Sequence, residues 1–161
     1  MKAKVASPAR SASAPAHPLL DPNKITTPYA MEVRGGCMSP IIDDGFSAAV
    51  DPRQQPKGGD IVVIWLRQPL PQFGPFNKVI KQLVLNIPFH VKFPFKNHPD
   101  SEVSPVLIVE TITPFTQCHV ECSDVLAVHL VIGRFPPGKK AGDYQNSEDM
   151  VRIENGKVVQ P

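Results

Sequence analysis

The sequence predicts a mostly β fold, and three observations lead to that prediction. Proline supplies 19 of the 161 residues, and a proline inside a helix removes a hydrogen-bond donor and clashes with the preceding turn. Between Pro22 and Pro137, the proline-free stretches longer than ten residues are 29–39, 41–51, 57–68, 76–87 and 115–135, too few and too short for a helical bundle. Short runs rich in Val, Ile and Phe alternate with turn residues, as in a β-sandwich or a partly open β-barrel.

Seven apolar runs are predicted to be strands. They are short and are bounded by Pro, Gly or Asp: 29–33, 46–50, 61–66, 78–86, 89–93, 106–112 and 125–132. The third run is apolar throughout, which is typical of a strand covered on both faces. In the fourth, Val79, Lys81 and Leu83 share one face. Lys81 therefore has apolar neighbours, and it is either an edge or snorkelling lysine or a functional one.

Both ends of the chain are predicted to differ from the domain, which spans residues 27–134. Residues 1–26 are rich in Ala, Ser and Pro with little apolar periodicity, a composition that predicts a flexible leader. Residues 135–161 are predicted to be a linker followed by a C-terminal β-hairpin, because Asn155-Gly156 is a preferred two-residue turn. An isolated hairpin is marginally stable in water, so we expect this one to pack on the domain or on a partner.

Charge and cysteine content narrow the possible function classes. The net charge is +2, and acidic and basic residues nearly balance in the globular part, which therefore lacks the positive face that nucleic-acid phosphates require. No apolar run approaches the ~20 residues of a membrane helix, and the N-terminus lacks the apolar segment of a secretory signal. Three cysteines without an export signal predict reduced thiols and a cytoplasmic location.

A metal site is considered at Cys118, His119, Glu121 and Cys122, and core packing is the alternative. Zinc requires four converging ligands in a characteristic pairing, and no second cysteine pair follows in the sequence. In an extended chain the two cysteines share one face, which suits a core equally well. We predict no metal. We also predict no cofactor, because no glycine-rich phosphate loop with its lysine is present.

Residues 35–45 read Gly-Gly-Cys-Met-Ser-Pro-Ile-Ile-Asp-Asp-Gly, which resembles the nucleophile motif of the LexA/UmuD-type peptidases, relatives of signal peptidase I. The family pattern is Gly-x-Ser-Met-x-Pro-x-Ile-x-Asp-Gly-Asp, and the matching positions are Gly35, Met38, Pro40, Ile42, Asp44 and Gly45. Similar landmarks follow in order at 50–52, 57–63, 79–83, 97–99 and 131–134. The resemblance covers roughly residues 29–134. It implies a LexA/signal-peptidase-like fold, a partly open β-barrel or sandwich.

The same resemblance implies a two-residue catalytic site. Cys37 stands at the position of the family's serine nucleophile, and Lys81 at the lysine of its Val-Lys-Arg-Leu strand. In the family a neutral lysine takes the nucleophile's proton and backbone amides hold the oxyanion; Gly35, Met38 and Pro40 belong to the supporting motif. Ser39 is rejected as the nucleophile because it lies two positions late, at the variable position before proline.

Two departures from the family pattern affect the expected activity. Cysteine replaces serine at position 37, and Phe46 replaces the aspartate that follows Gly45. A neighbouring cation favours a thiolate, so the pair would be an ion pair instead of a neutral base beside a neutral hydroxyl. The insertion at residues 68–76 is longer than a hairpin turn and is interpreted as a flap over the site.

The position of the motif limits the expected reaction. Self-cleaving family members are cut upstream, typically at Ala-Gly or Cys-Gly, and neither bond precedes Cys37. We expect self-cleavage to be lost or altered. Three hypotheses remain: a Cys–Lys peptidase domain, a non-enzymatic regulatory module of the same fold that dimerises or binds a protein or peptide partner, and a β domain with only fold-level likeness. Family members commonly self-associate, so the resemblance implies a homodimer. The charge balance and the lack of a long apolar run predict no direct nucleic-acid binding and no membrane binding.

Overall fold

The structure is a computed structural model that describes residues 21–96, 104–138 and 149–159. These residues form an antiparallel sheet, which confirms the predicted mostly β class. Its strands are β1 (Tyr29–Glu32), β2 (Ser47–Asp51), β3 (Ile61–Leu66), β4 (Lys78–Leu83), β5 (Val106–Thr111), β6 (Thr116–Glu121), β7 (Val125–Phe135), β8 (Val151–Glu154) and β9 (Lys157–Val158). Three 3₁₀ turns lie at Pro22–Lys24, Pro71–Phe73 and Cys122–Asp124. Within the described ranges, none of these helical turns is long enough to cross a membrane.

Strand β7 organises the sheet because it pairs on both of its edges. Its first half pairs with β3, and its second half pairs with β2 on one edge and with β8 on the other. The strand order is β1-β2-β7-β3-β4-β5-β6, and the β8–β9 hairpin branches from the end of β7. Over the described residues the sheet does not close, because β1 and β6 end the path without pairing with each other.

Two apolar clusters lie on opposite faces of β3. Val62 and Ile64 belong to one cluster, which also contains Leu83 and Val109. Ile61 and Val63 belong to the other, together with Met38. All residues of β3 except Trp65 are buried, so the prediction of a strand covered on both faces is confirmed. The second cluster anchors the turn that carries Cys37, and the first contains Val79 and Leu83, the neighbours of Lys81 in β4.

The structure differs from the sequence prediction in two segments. Residues 89–93 do not form a strand, so that prediction is wrong; the Val91 N–H instead closes a turn onto the Pro88 carbonyl. Proline cannot donate to a sheet ladder, and this segment is a mostly exposed loop anchored by its buried Val91. Strand β6 was not predicted. It is a polar strand at the end of the sheet in which only Val120 is fully buried.

Both ends of the described chain pack on the sheet. The hairpin prediction is confirmed: β8 pairs with β9, Asn155 and Gly156 have φ values of 51° and 73°, and β8 pairs with β7. Residues 139–148, which include most of the predicted linker, lie outside the described residues, as do 97–103. Of the predicted leader, residues 1–20 also lie outside them. Residues 21–26 contain the first 3₁₀ turn, where the Asn23 amide donates to the Leu126 carbonyl.

Candidate functional site

The chain turns sharply after β1, and this turn carries Cys37. Gly35 adopts a φ of +87°, which a side chain would strain, and its N–H donates to Asp44 at 2.7 Å. Met38 and Ile42 are completely buried in the second apolar cluster. The motif residues therefore shape and anchor the turn, while Cys37 between them stays half-buried at its surface.

Hydrogen bonds from two other parts of the sheet fix the carbonyl groups of this turn. The Cys37 carbonyl accepts from the N–H groups of Ile112 (2.8 Å) and Thr113 (3.0 Å), at the β5–β6 turn. The Arg134 guanidinium on β7 donates to the carbonyls of Pro40 (2.9 Å) and Ile41 (2.6 Å). The turn is thus held by groups that are about 75 to 95 residues away in sequence, and its geometry depends on the complete sheet.

Lys81 meets Cys37 at the base of a cleft. It lies in β4 between Val79 and Leu83, is only 8% exposed, and has its Nζ 3.8 Å from the Cys37 Sγ. The ring of Phe73, from the insertion before β4, lies 5.1 Å from the same Nζ. The structure therefore brings together the two residues that the sequence paired, and Lys81 is a buried lysine instead of an exposed edge residue.

Two backbone donors lie next to the Cys37 sulfur. In the described part of the chain, the N–H groups of Cys37 and Met38 have no hydrogen-bond acceptor. Their directions are set, because Gly36 and Cys37 use their carbonyl oxygens in other hydrogen bonds and the peptide planes are rigid. Fixed free donors beside a nucleophile are what the stabilisation of an oxyanion requires.

The cleft has a volume of about 820 Å³. One wall is formed by residues 29–37, and the opposite wall by residues 78–81 with Trp65, Phe73 and Phe76. The last two residues come from the insertion that was interpreted as a flap, so that insertion does border the site. Phe46 packs against Arg134, whose Cζ lies 5.4 Å from the centroid of the phenylalanine ring.

The other thiols and the neighbouring serine have different surroundings. Burial raises the pKa of Cys122 to about 11. It also raises the pKa of Cys118, and the charge of Lys81 opposes that shift. Ser39 donates its hydroxyl to Asp43. Among the described residues, no group of three or more His, Cys, Asp or Glu side chains could hold a metal ion.

The sequence did not reveal a chain of hydrogen bonds at the far end of the cleft. The Trp65 indole N–H donates to the Tyr29 hydroxyl at 3.1 Å, and that hydroxyl lies 2.8 Å from the His129 Nδ1. Burial lowers the pKa of His129, and a hydrogen bond with the Pro22 backbone carbonyl opposes the shift. These residues are far apart in sequence and belong to no shared motif, so only the folded sheet joins them.

Fold and site together define a mostly β domain with a paired thiol and lysine in an open cleft. Comparison of the chain with family models, with curated proteins and with solved structures gave no match.

Proposed function

We propose that this chain is a peptidase-type domain of the LexA/UmuD kind, in which Cys37 and Lys81 take the place of the family's Ser–Lys pair. The observation that carries the proposal is the 3.8 Å contact between the Cys37 sulfur and the buried Lys81 amine at the base of the cleft. A motif resemblance in sequence and this contact between residues on different elements support the same pairing. The partly open sheet agrees with the fold that the resemblance implies.

The proposed reaction is acyl transfer through Cys37. Its thiolate attacks a peptide carbonyl carbon, a C–S bond forms, and the developing oxyanion accepts from the free N–H groups of Cys37 and Met38. The C–N bond then breaks, and the leaving amine takes a proton from the Lys81 ammonium. Water next hydrolyses the thioester: it gives one proton to Lys81 and its hydroxyl to the acyl carbon, and the Cys37 thiolate leaves.

The cleft suits an extended peptide because unpaired strand edges border it. Directly after β1, the N–H and C=O of Val33 bond to Phe46 and Gly45, on the side of β2. Backbone groups alternate in direction along a strand, so those of Ala30 and Glu32 point away from β2. Within the described residues no strand pairs with this edge of β1, and a peptide strand could add to it.

The opposite wall offers a second edge. In β4 the N–H and C=O of Leu83 form hydrogen bonds on the side of β3. By the same alternation, the backbone N–H and C=O groups of Lys78 and Ile80 point away from β3. In the described structure β5 pairs with β4 only at Gln82 and Leu83, which leaves the start of β4 uncovered. The proposed substrate is therefore a peptide segment in extended form between β1 and β4.

Self-cleavage is expected to be absent. No Ala-Gly or Cys-Gly bond precedes Cys37, and cysteine stands at the nucleophile position. Intact mass spectrometry of the protein after incubation at alkaline pH should show one species of full length. A discrete shorter species that disappears in Lys81→Ala would contradict this expectation.

A non-enzymatic peptide-binding module of the same fold, dimerising or bound to a partner, is the second candidate. The Phe73 ring beside the Lys81 Nζ favours it, because the ring restricts the room in which the amine could reach a leaving group. In this case the strand edges bind a peptide and the thiol takes no part.

An active-ester peptide separates the two candidates. Incubation with a capped tri-alanine p-nitrophenyl ester should acylate Cys37 and release more than one equivalent of nitrophenol, with the adduct located by peptide mapping. Cys37→Ala should abolish acylation, and Lys81→Met should slow turnover while Ser39→Ala leaves it unchanged. Binding of the peptide without acylation would instead favour the module, and equal acylation in Lys81→Met would contradict the paired site.

A further inference from the structure

The end of the cleft away from Cys37 has a composition that the proposed reaction does not need. Tyr29 and Trp65 line it, Phe76 is 51% exposed beside them, and Lys78 lies at its rim. Lys78 pairs across the sheet with Trp65. Lys81 lies three positions after Lys78 in β4, a distance of about 10 Å at about 3.3 Å per residue. A peptide that lies along β4 with its reacting carbonyl at the Cys37 sulfur would therefore place, at this end of the cleft, the side chain three positions away from that carbonyl.

The aromatic rings at this end form a rigid surface. Tyr29 and Trp65 meet edge to face with ring centroids 6.3 Å apart, and the Tyr29 hydroxyl bonds both the Trp65 indole N–H and His129. Because the polar tips of these rings are paired with each other, their remaining surface facing the cleft is apolar. Phe76 is a large apolar side chain with half its surface open to the same space. This arrangement suits an aromatic side chain of a ligand, which prefers edge-to-face or offset contacts.

The charges around the cleft favour an acidic ligand. The Lys78 Nζ lies 4.9 Å over the Trp65 ring, Lys81 lies at the cleft base, and Arg34 is at the rim. Glu32 is the one acidic residue of the cleft lining among the described residues. It lies 3.8 Å from Arg34, with both side chains mostly exposed, so that pair is weak. The cleft thus carries a net positive charge, concentrated at its aromatic end by Lys78.

We propose that Tyr29, Trp65, Phe76 and Lys78 form a specificity subsite for an aromatic residue with an acidic residue two positions away in an extended peptide. The spacing follows from strand geometry, because alternate side chains share a face and Lys78 lies on the same side as the rings. This inference rests on the proposed function, since it names the class of peptide that the Cys37–Lys81 site takes. Unpaired backbone edges favour a peptide over a fatty acid of similar charge and apolarity.

The chain's single tryptophan, Trp65, provides a direct measurement of binding. The Cys37→Ala protein is titrated with the capped peptide Ala-Phe-Ala-Glu-Ala-Ala-Ala and, separately, with the capped peptide of reversed sequence. Trp65 fluorescence is followed in each titration. We expect a saturable change in Trp65 fluorescence with at least one of the two peptides. Replacing Phe by Ala or Glu by Lys in the peptide should weaken binding about tenfold or more.

Matched variants locate the subsite. Phe76→Ala and Lys78→Ala, each in the Cys37→Ala protein, should raise the dissociation constant about fivefold to tenfold. Phe115→Ala, which removes a 69% exposed phenylalanine outside the cleft lining, and Lys57→Ala should leave it unchanged. Equal binding of the peptides in which Phe is replaced by Ala or Glu by Lys would overturn the subsite, as would equal effects of the control variants. Saturable binding of laurate together with no binding of any peptide would also overturn it.

The outcome can be separated from that of the proposed function. If Cys37 in the wild-type protein is acylated by the tri-alanine ester while the Phe–Glu peptide shows no preference, the subsite fails and the peptidase proposal stands. If the Phe–Glu peptide binds selectively while no ester acylates Cys37, the subsite stands and the chain is a peptide-binding module.

Discussion

Cys37 and Lys81 are in contact because distant residues hold the turn that carries Cys37. Met38 is buried in the second apolar cluster, and Arg134 binds the carbonyls of Pro40 and Ile41. The turn is thereby presented to Lys81 in a fixed geometry, with two free N–H groups beside the sulfur. The sequence resemblance had predicted both Cys37 and Lys81 as the members of this pair. The hydrogen bonds from Arg134 and from the β5–β6 turn were not predicted, because the carbonyls that accept them and the N–H groups of that turn are backbone groups that any residue could supply.

Cys37→Ser should test whether the cysteine alone alters the chemistry. The change is nearly isosteric, so the turn should keep its shape while the nucleophile becomes a neutral hydroxyl beside Lys81. We expect the variant to react with a serine-directed acylating probe, measured by intact mass, and the Cys37→Ser/Lys81→Ala double variant not to react. A folded Cys37→Ser protein that stays inert would place the deficit elsewhere in the cleft, near Phe46 or Phe73.

Among the secondary-structure elements, β3 and the C-terminal hairpin followed their sequence patterns most closely. A run that is apolar at every position has one interpretation in a sheet, and Asn155-Gly156 encodes its own turn. The prediction of a strand at 89–93 failed because apolar composition alone does not supply ladder donors next to prolines. Strand β6 escaped prediction because an edge strand needs only one buried face. Its alternation of polar residues with Cys118 and Val120 was the available signal.

The β7–β8 junction should be sensitive at Gly133. A Cβ added there would lie 2.8 Å from the Val151 carbonyl oxygen and 2.8 Å from the Met150 Cγ, and the backbone atom cannot move without displacing β8. Gly133→Ala should cost about 1–3 kcal/mol in the free energy of unfolding, measured by urea denaturation. Gly36→Ala, whose added Cβ meets nothing within 4 Å, is the matched control. Equal stability of Gly133→Ala and the wild type would mean that β8 does not pack there.

His129 should make the domain less stable in acid. Burial lowers its pKa below the ordinary value of 6.5, which the ring regains in the unfolded chain. As pH falls below about 6.5, the unfolded state takes up the proton first, so the free energy of unfolding decreases. Urea midpoints between pH 7.5 and 5 should fall for the wild type and less steeply for His129→Gln. Tyr29→Phe keeps the buried His129 ring, so its urea midpoint should still fall as the pH falls. A pH slope in His129→Gln identical to that of the wild type would contradict this role of His129.

For the whole molecule, the open sheet leaves a cleft between β1 and β4, and all the proposed chemistry takes place there. Pairing of β1 with the start of β4 would have covered both strand edges and removed the proposed peptide site. Composition predicted the β class, but the path of the sheet depends on β7 changing partners midway, which its uniform alternation of buried and half-buried residues does not reveal. The proposed homodimer is tested by sedimentation velocity over a range of concentrations, where a purely monomeric species would contradict it.

The most direct test of the Cys37–Lys81 pair is the rate at which each thiol reacts with iodoacetamide in the folded protein. Peptide mapping resolves Cys37 from Cys122, whose pKa burial raises to about 11, which makes Cys122 the slow internal reference; Cys118 is left out of the comparison because the charge of Lys81 also acts on its pKa. Because Cys37 lines the open cleft with the Lys81 Nζ 3.8 Å from its sulfur, we expect Cys37 to react about tenfold faster than Cys122 at pH 7.5. Lys81→Met, of similar length but without charge, should remove most of that difference while circular dichroism shows an intact fold. An unchanged Cys37 rate in folded Lys81→Met would contradict the paired site.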